Sequence, residues 1–352
     1  MVTMGAILLV ALPLLGADFQ YREALPGYQY QFPRDHFEHE DFRTEWWYYT
    51  GNVTDQAGKR FGFELVFFRQ GAKPGTGNRS KWAVEDLYLA HAAVTDAGGK
   101  KFLFDERLNR KGPGIAGASA AEARVWNGNW QVKWDGEKQT LDALGTGYKF
   151  HFELIPAKGF VIHGQDGISR KAEGKGRASH YVSYSRLAAA GSIEIGGERH
   201  AVTGGAWMDH EWFSEPLSAE QAGWDWFSVQ LENKTELMLF RLRRKDGAVH
   251  QNTADPNASG TFIDATGKAR HLTREDFTLE PGALWGKYPI EWRVKVPSLG
   301  IDITAKAVLA NQAIAAKNAG PKYWEGAVDY AGSHKGVGYL EMTGYEGAVR
   351  LK

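Results

Sequence analysis

The stretch GGAWMDHEWFSEP, residues 204–216, places ionisable side chains among large aromatic rings. In an extended strand, Asp209 and Glu211 lie on one face, while His210 lies on the other face with Trp212. A carboxyl group packed against an indole ring is poorly solvated, so its pKa rises and it can hold a proton for donation. The pattern therefore predicts acid–base catalysis by Asp209, His210 and Glu211. The alternative is a domain interface in which these groups make only structural hydrogen bonds.

A second stretch, EDFRTEWWYYTGNV at residues 40–53, combines an acid with a run of aromatic side chains. Strand alternation separates Glu45 and Trp47 from Trp46 and Tyr48, so one set should line a β-barrel and the other should pack against a second domain. Burying an ionisable group is costly unless it is paired, and two separate cores would give no reason to bury several of them. We therefore predict that the two stretches wall one shared cavity, with Glu45 as a further catalytic residue.

The ligand-binding residues that we predict are mostly aromatic and come from these two stretches and from GWDWFSVQL, residues 223–231. They are Trp46, Trp47, Tyr48, Trp207, Trp212, Trp224 and Trp226, together with His91. An aromatic stripe along a strand fits a packed core as well as a ligand site. His91 shares its strand face with leucines, which also fits a core residue.

Other ionisable residues carry different signals. Glu64 lies inside the apolar run FGFELVFF and needs a partner, for which Arg69 and Arg43 are the candidates. The segment HFEHE offers His36, His39 and Glu40, but two histidines three residues apart without a helical pattern are not a zinc signature, so no metal is predicted. The sequence contains no nucleotide-binding or serine-hydrolase motif, and we predict no cofactor.

The composition limits the possible functions. The chain has 352 residues, enough for about two domains, and its 42 basic residues balance 42 acidic ones, so charge does not favour a nucleic-acid partner. It has no cysteine, which excludes disulfides and thiol nucleophiles. With 13 Trp, 14 Tyr and 18 Phe, the chain is rich in rings that suit a large core or a cavity for a hydrophobic small molecule.

Short alternating segments separated by Gly-containing turns predict an all-β fold. RFGFELVFFR (60–69), YKFHFELI (148–155) and TELMLFRLRR (235–244) have the length and the period of strands. Only residues 117–125 and 218–223 suggest short helices. Many strands with few helices are typical of sandwiches and barrels.

An internal similarity predicts two related β domains. EWWYYTGNV followed by FELVFFR parallels GWDWFSVQL followed by ELMLFRLR, and each second strand contains an aromatic residue followed by Arg, at Arg69 and Arg241. We predict an N-terminal domain over residues 18–203 and a C-terminal domain over residues 204–352. The apolar N-terminal segment predicts a signal peptide, residues 1–17, and hence a periplasmic or secreted protein. No later stretch is long and apolar enough to predict a membrane span.

These stretches resemble the lipocalin-like family that includes the AttH proteins and the carotenoid 1,2-hydratases. The matching pieces, in order, are EWWYYTGNV, HYVSYSRLAAAGSIEIGGERHAVTGGAWMDHEW, GWDWFSVQL and YWEGAVDYAGSHKGVGYLEMTGY. The resemblance implies two calycin-type β-barrels packed together, with a ligand cleft where they meet, and an exported precursor. The residues to which it assigns site roles are Asp209, His210, Glu211, Trp212, Glu45, Trp46, Trp47 and Tyr48.

The resemblance implies more than one activity, because members of the family hydrate terpenoid double bonds, assist cyclisations or are described as secreted hydrolases. Our first hypothesis is a cofactor-independent hydratase or lyase for an isoprenoid or lipid-like molecule, in which Asp209 donates a proton and aromatic faces stabilise a cation. The second is a non-catalytic carrier of a hydrophobic ligand, associated with an export system. The third is a secreted hydrolase.

Overall fold

The structure is a computed structural model that describes residues 20–72, 84–245, 257–316 and 322–349. The described residues form 25 β-strands and three short 3-10 helices, as the alternating sequence pattern predicts. None of these helices is long and apolar enough to cross a membrane. The predicted signal peptide lies outside the described residues, so export stays a prediction.

The first thirteen strands form one antiparallel sheet. Their bounds, with those of the preceding helix, are η1 Arg34–His36, β1 Thr44–Asp55, β2 Arg60–Gly71, β3 Asp86–Asp96, β4 Lys101–Arg110, β5 Ala116–Ser119, β6 Arg124–Asn127, β7 Trp130–Asp135, β8 Lys138–Gly145, β9 Tyr148–Pro156, β10 Val161–Ile162, β11 Ser169–Arg170, β12 Ala178–Ile195 and β13 Glu198–Phe213. The order across the sheet is β4-β3-β2-β1-β13-β12-β9-β8-β7-β6-β5, and β10 and β11 pair with β12. The sheet curls into a barrel, since the Asn109 side chain of β4 donates to Asn127 Oδ1 of β6 at 2.6 Å.

The remaining strands form a second antiparallel sheet and a separate hairpin. Their bounds, with those of two helices, are β14 Gln221–Leu231, β15 Glu236–Arg244, β16 Ser259–Ile263, β17 Ala269–Thr273, η2 Arg274–Asp276, β18 Thr278–Pro281, β19 Leu284–Trp285, β20 Tyr288–Pro289, β21 Glu291–Val296, η3 Pro297–Leu299, β22 Ile301–Ala307, β23 Ala313–Ile314, β24 Tyr323–Gly332 and β25 Gly336–Thr343. The order is β17-β16-β15-β14-β25-β24-β22-β21-β18; β23 pairs with β24, and β19 with β20. The edge strands β17 and β18 are joined only through η2, so this sheet also curls back on itself. The prediction of two lipocalin-like barrels is confirmed.

The two sheets repeat the same arrangement of strands. In each sheet the first strand, β1 or β14, pairs with the next strand in the chain on one side and with the last strand of its own sheet, β13 or β25, on the other. The register also matches, because Glu45 lies opposite Arg69 as Asp225 lies opposite Arg241. The internal similarity in the sequence therefore corresponds to equivalent hairpins in the two barrels.

Strand alternation sorts the residues of these hairpins onto two faces. Trp47 belongs to the core inside the first barrel, and the equivalent Phe227 belongs to the core inside the second. Trp46, Tyr48 and Trp226 point outward and meet in a third cluster that lies between the barrels. The barrels thus contact each other through the outer faces of their sheets.

The part of the chain before β1 covers one end of the first barrel, and residues 20–43 are called the N-terminal cap below. The Trp47 indole donates to the His36 carbonyl of the cap at 2.9 Å. Arg69 donates to the Phe42 carbonyl at 2.9 Å. The cap is therefore fixed to β1 and β2 by side chains that come from the barrel.

Two expectations about local structure are wrong. Residues 117–125, predicted as a helix, form the β5–β6 hairpin, in which Gly117 lies opposite Trp126. A Cβ at Gly117 would come within 2.8 Å of the Trp126 ring, so the glycine makes room for the indole. Burial of alternate residues in the barrel core outweighs the helix preference of the alanines in this segment. Residues 218–223, the other predicted helix, form a turn and the start of β14.

The division between the two units lies later in the chain than predicted. The boundary predicted between residues 203 and 204 falls inside β13, which pairs along its length within the first sheet. The glycines there bring strands close together: a Cβ on Gly205 would lie 3.0 Å from the side-chain oxygen of Gln230 in the second barrel. The chain passes from the first sheet to the second between Phe213 and Gln221.

Candidate functional site

A cavity of about 360 Å³ lies between the outer faces of the two barrels. Strands β1, β2, β3, β4, β12 and β13 line it from the first barrel, and β14, β15, β24 and β25 line it from the second. Its apolar lining is formed by Trp46, Tyr48, Val66, Phe68, Leu87, Leu89, Leu108, Tyr181, Phe213, Pro216, Leu217, Trp224, Trp226, Phe240, Leu242 and Tyr323. Such a size and lining are typical of a site for a hydrophobic small molecule.

Five carboxyl side chains line the same cavity: Glu64, Asp209 and Glu211 from the first barrel, and Glu325 and Glu341 from the second. Burial raises the pKa of Asp209 to about 7 and the pKa values of Glu64 and Glu341 to about 8. Burial also raises the pKa of Glu325 well above its usual range. The pKa values of Asp209, Glu64, Glu341 and Glu325 therefore lie at or above neutral pH, so these four groups can hold protons inside an apolar cavity.

Asp209 is held in place by three hydrogen-bond donors. It accepts bonds from the Tyr181 hydroxyl at 2.7 Å, from the Trp207 indole at 2.6 Å, and from the Ser183 hydroxyl. Because Ser183 donates to Asp209, it accepts from Nε2 of His163, which lies 2.7 Å away. Desolvation is the largest influence on the Asp209 carboxyl, and it raises the pKa although the three donors favour the charged form. Asp209 is therefore a positioned acid at the end of a hydrogen-bonded chain.

Glu211 has a different environment on the same strand face. Its Oε1 lies 3.0 Å from Lys171 Nζ and accepts a hydrogen bond from the Ser179 hydroxyl. The Lys171 ammonium also lies 4.1 Å from the centroid of the Phe240 ring in the second barrel. Glu211 and Lys171 thus bring a compensated ion pair, rather than a free acid, to the cavity wall.

The structure brings together some of the predicted site residues. Those that line the cavity are Trp46, Tyr48, Asp209, Glu211, Trp224 and Trp226. Trp207 does not line the cavity, but its indole donates a hydrogen bond to Asp209, which does. His91 is fully buried behind Tyr323, whose hydroxyl lies 2.6 Å from His91 Nδ1, so the imidazole supports the wall without lining it.

The other predicted site residues, Glu45, Trp47, His210 and Trp212, do not line the cavity. They alternate along β1 and β13 with residues that do, and their side chains point into the first barrel and its N-terminal cap. The two aromatic stretches therefore share the cavity, as predicted, but the assignment of these four residues to it does not agree with their positions. Consecutive residues of a strand face opposite sides of the sheet, so only every second one can reach the cavity.

Glu45 instead forms a buried cluster with two histidines. Its Oε1 lies 2.7 Å from His39 Nδ1 and 2.7 Å from His210 Nε2. The three residues bring one ligand atom each within 4.8 Å of one another, and two histidines with a carboxylate are donors that zinc accepts. Both rings already hydrogen bond to the shared oxygen, so the cluster joins the N-terminal cap to β1 and β13 through the protein's own groups. The absence of a metal stays a prediction.

Glu45→Gln should lower the free energy of unfolding near pH 6 by about 3 kcal/mol, because each unit of pKa shift corresponds to about 1.4 kcal/mol. Burial alone would raise the pKa of Glu45, but His39 and His210 outweigh it and hold the pKa at about 2. The carboxylate therefore contributes stability above its unfolded pKa, and this contribution is lost as the pH falls from about 4.5 through 2. Urea unfolding at pH 6 and pH 3 measures it. An equal difference between wild type and variant at both pH values would contradict this account.

Neither arginine predicted as the partner of Glu64 fills that role. Arg69 lies 3.0 Å from Asp86, and the Arg43 guanidinium packs over an aromatic ring of the N-terminal cap. Glu64 Oε1 accepts a hydrogen bond from the Tyr323 hydroxyl of the second barrel at 3.1 Å. The partner comes from a strand more than 250 residues away in the chain, which strand periodicity alone could not indicate.

Sequence reasoning missed several residues of the site. Glu325 and Glu341 are acids within largely apolar strands, so the argument applied to Glu64 would have found them. Tyr181 and Lys171 carry no such signal, because a tyrosine in a strand and a lysine in a loop are ordinary. Their roles depend on β12 and the segment before it lying beside β13, which only the fold shows.

Two lipocalin-like barrels that enclose a hydrophobic cavity lined with buried acids define the class of this protein. The chain belongs to the AttH-like family, whose profile matches residues 23–345. The resemblance found in the sequence motifs is confirmed. No functionally curated protein sequence matches the chain significantly.

Solved structures support the same assignment. The chain is similar to a Nitrosomonas europaea protein assigned as an AttH, with 32% identity, 92% of this chain and 99% of that chain covered, and a TM-score of 0.83. Kievitone hydratase from Nectria haematococca has 15% identity, coverage of 94% and 98%, and a TM-score of 0.67. CghA with Sch210972 has 12% identity, coverage of 94% and 97%, and a TM-score of 0.53. At these lower identities the likeness shows a shared fold.

Proposed function

We propose that the protein is a cofactor-independent hydratase or lyase for a hydrophobic, isoprenoid or lipid-like small molecule that binds between the two barrels. The observation that carries the proposal is Asp209, a 4% exposed carboxyl with a pKa of about 7 in the wall of a cavity lined mainly by aromatic and aliphatic side chains. Hydration of a double bond needs a general acid, a surface that tolerates positive charge, and a water molecule. The cavity offers the first two of these.

In the proposed reaction the Asp209 carboxyl transfers its proton to one carbon of an electron-rich double bond. The positive charge that develops on the other carbon is stabilised by the faces of the Trp46 and Trp226 rings. Water adds to that carbon and releases a proton, which restores the acid form of Asp209. Asp209 itself lines the cavity, so its carboxylate can take this proton back directly. The same groups acting in reverse eliminate water from an alcohol.

The fold supports this proposal in one further respect. Kievitone hydratase has the same two-barrel architecture, so this architecture accommodates a hydratase. The likeness concerns the fold, and the substrate proposed for this chain rests on its own cavity. The described residues that line the cavity include no serine, so the wall offers no serine nucleophile to support the secreted-hydrolase hypothesis.

One observation favours a second candidate function, a non-catalytic carrier. The Asp209 carboxyl accepts three hydrogen bonds from fixed donors, which is also how a purely structural buried acid is satisfied. A hydrophobic cavity of this kind would hold a ligand without changing it. Both functions predict a bound hydrophobic molecule, and they differ in whether the molecule exchanges atoms with water.

Isotope exchange separates the two functions. Small molecules extracted from the protein purified from its native source should include an isoprenoid or lipid-like compound, identified by mass spectrometry. When this compound is returned to the protein in H₂¹⁸O, a hydratase should incorporate one ¹⁸O or catalyse exchange of a hydroxyl. A bound molecule that gains no label would favour the carrier, and a protein that yields no hydrophobic molecule would contradict both functions.

A further inference from the structure

Glu64 and Glu325 bring two unpartnered oxygen atoms to the cavity from opposite barrels. Each side chain is 1% exposed and lines the cavity. In both residues Oε2 is buried and has no hydrogen-bond partner among the described residues. Buried carboxyl oxygens are normally hydrogen bonded, so two such atoms in one cavity wall indicate a missing polar partner.

The other oxygen of each carboxyl group is fixed by a tyrosine from the opposite barrel. Tyr323 of β24 donates to Glu64 Oε1 at 3.1 Å, and Tyr48 of β1 donates to Glu325 Oε1 at 2.7 Å. Tyr323 is itself held by His91, whose Nδ1 lies 2.6 Å from its hydroxyl. These crossed bonds orient both carboxyl groups and leave Oε2 of each without a partner among the described residues.

The repeat between the barrels supplies an internal comparison. Glu64 lies opposite Thr50 on the first hairpin, and at the equivalent position of the second hairpin Glu236 lies opposite Gln230. Glu236 is neutralised by Lys158 at 2.7 Å and by Arg186, both from the first barrel. Glu64 has no such cation among the described residues. Glu236 of the second barrel therefore forms an ion pair between the barrels, whereas Glu64, at the equivalent position of the first barrel, lines the cavity.

We propose that Glu64 and Glu325 together bind an uncharged oxygen-bearing group, a hydroxyl or a carbonyl, of the hydrophobic ligand. The proposal rests on the function proposed above only in requiring a hydrophobic molecule in this cavity. A hydroxyl can accept a hydrogen bond from one carboxylic acid and donate one to the other. The ligand would thus be an oxygenated isoprenoid or lipid rather than a pure hydrocarbon, and this polar end would set its orientation relative to Asp209.

The charge around the two acids favours a neutral partner over an ammonium ion. Burial is the largest cause that raises the pKa of Glu64, and Glu341 on β25 raises it further, while the Tyr323 hydroxyl opposes the rise. For Glu325, burial is followed by the charges of Glu64, Glu341 and Asp209, and the Tyr48 hydroxyl opposes the rise. Acids that repel one another in this way hold protons and act as hydrogen-bond donors.

Three probes with one carbon skeleton test the proposal: farnesene, farnesol and farnesylamine, titrated at pH 7 against the full-length protein with calorimetry. Farnesol should bind about tenfold more tightly than farnesene, the effect expected of one or two net hydrogen bonds. Farnesylamine should bind no more tightly than farnesol. Equal affinities for farnesol and farnesene, or a tighter amine, would overturn the proposal. Failure of all three probes to bind would count against the hydrophobic site itself, and so against the proposed function.

Variants test whether Glu64 and Glu325 cause the preference for farnesol over farnesene. Glu64→Leu and Glu325→Leu should each reduce the affinity for farnesol to that for farnesene and leave the affinity for farnesene within about twofold, since the apolar lining is kept. Two variants on different barrels protect the test if one of them fails to fold. Glu236→Gln is the matched control, because it changes the equivalent residue outside the cavity, and it should keep the tenfold preference. Retention of that preference in both Leu variants would overturn the proposal.

Discussion

Replacing Asp209 with Asn should reduce turnover of the substrate found by isotope exchange by about 10²- to 10⁴-fold, the usual contribution of a general acid. The amide has the shape of the carboxyl group: its oxygen can still accept the hydrogen bond from the Trp207 indole, and its NH2 group can donate to the Tyr181 hydroxyl, so folding and ligand binding should change little. Initial rates of ¹⁸O incorporation measure the first effect, and thermal unfolding with ligand titration measures the second. Turnover at the wild-type rate in this variant would remove Asp209 as the proton donor.

The dependence on pH gives an independent test of the same residue. Only the protonated form of Asp209 can donate, so the wild-type rate should fall as the pH rises through about 7. Trp207→Phe is the matched control, because it removes a donor that lowers the pKa of Asp209 and leaves the carboxyl in place. In this variant the fall should move to higher pH. An unchanged profile would indicate that another group controls the rate.

Trp47→Ala should destabilise the protein by about 3–5 kcal/mol, the range for truncating a buried tryptophan in a core. Trp47 is fully buried inside the first barrel, and its indole donates to the His36 carbonyl of the N-terminal cap. Because the side chain does not line the cavity, affinity for a cavity ligand should stay near that of wild type wherever the variant is folded. Chemical denaturation measures the stability, and ligand titration measures the affinity.

Trp46, the residue before Trp47, provides the matched comparison. Trp46 lies on the cavity face of the same strand, so Trp46→Ala should weaken ligand binding with a smaller loss of stability. The two substitutions lie at adjacent positions in the sequence but on opposite faces of the sheet. A loss of affinity in Trp47→Ala that matches the loss in Trp46→Ala would contradict the division of the strand between core and cavity.

Much of the fold could be predicted from the sequence because strand periodicity is a local property. The hairpins that begin around Trp46 and Trp226 were recognisable as related from a few residues each, and they proved equivalent in the two barrels. The alternation also predicted that every second residue of β1 would face a barrel interior and that the residues between them would face a second domain. The family motifs then added the arrangement of two barrels, which periodicity does not provide.

The site was harder to predict because it depends on which strand faces meet. From the sequence, Asp209 and His210 are adjacent acid–base residues of one motif, yet they lie on opposite faces of β13 and belong to different environments. Conversely, Glu64 and Glu325 are separated by most of the chain but line one cavity. Strand alternation separates Asp209 from His210, but local spacing cannot show which face meets the cavity or that Glu64 and Glu325 meet there, since both follow from the way in which the two barrels dock.

The equivalence of the two barrels has an evolutionary consequence. Equivalent faces in contact are what remains when two copies of a gene for a symmetrical dimer become fused, since such a dimer buries the same patch from both subunits. A symmetrical ancestor would have presented every cavity residue twice and could not have changed one copy alone. In this chain, Asp209 opposite Tyr48 corresponds to Tyr339 opposite Ser228. A single chain that carries both barrels can hold different residues at equivalent positions, as Asp209 and Tyr339 show.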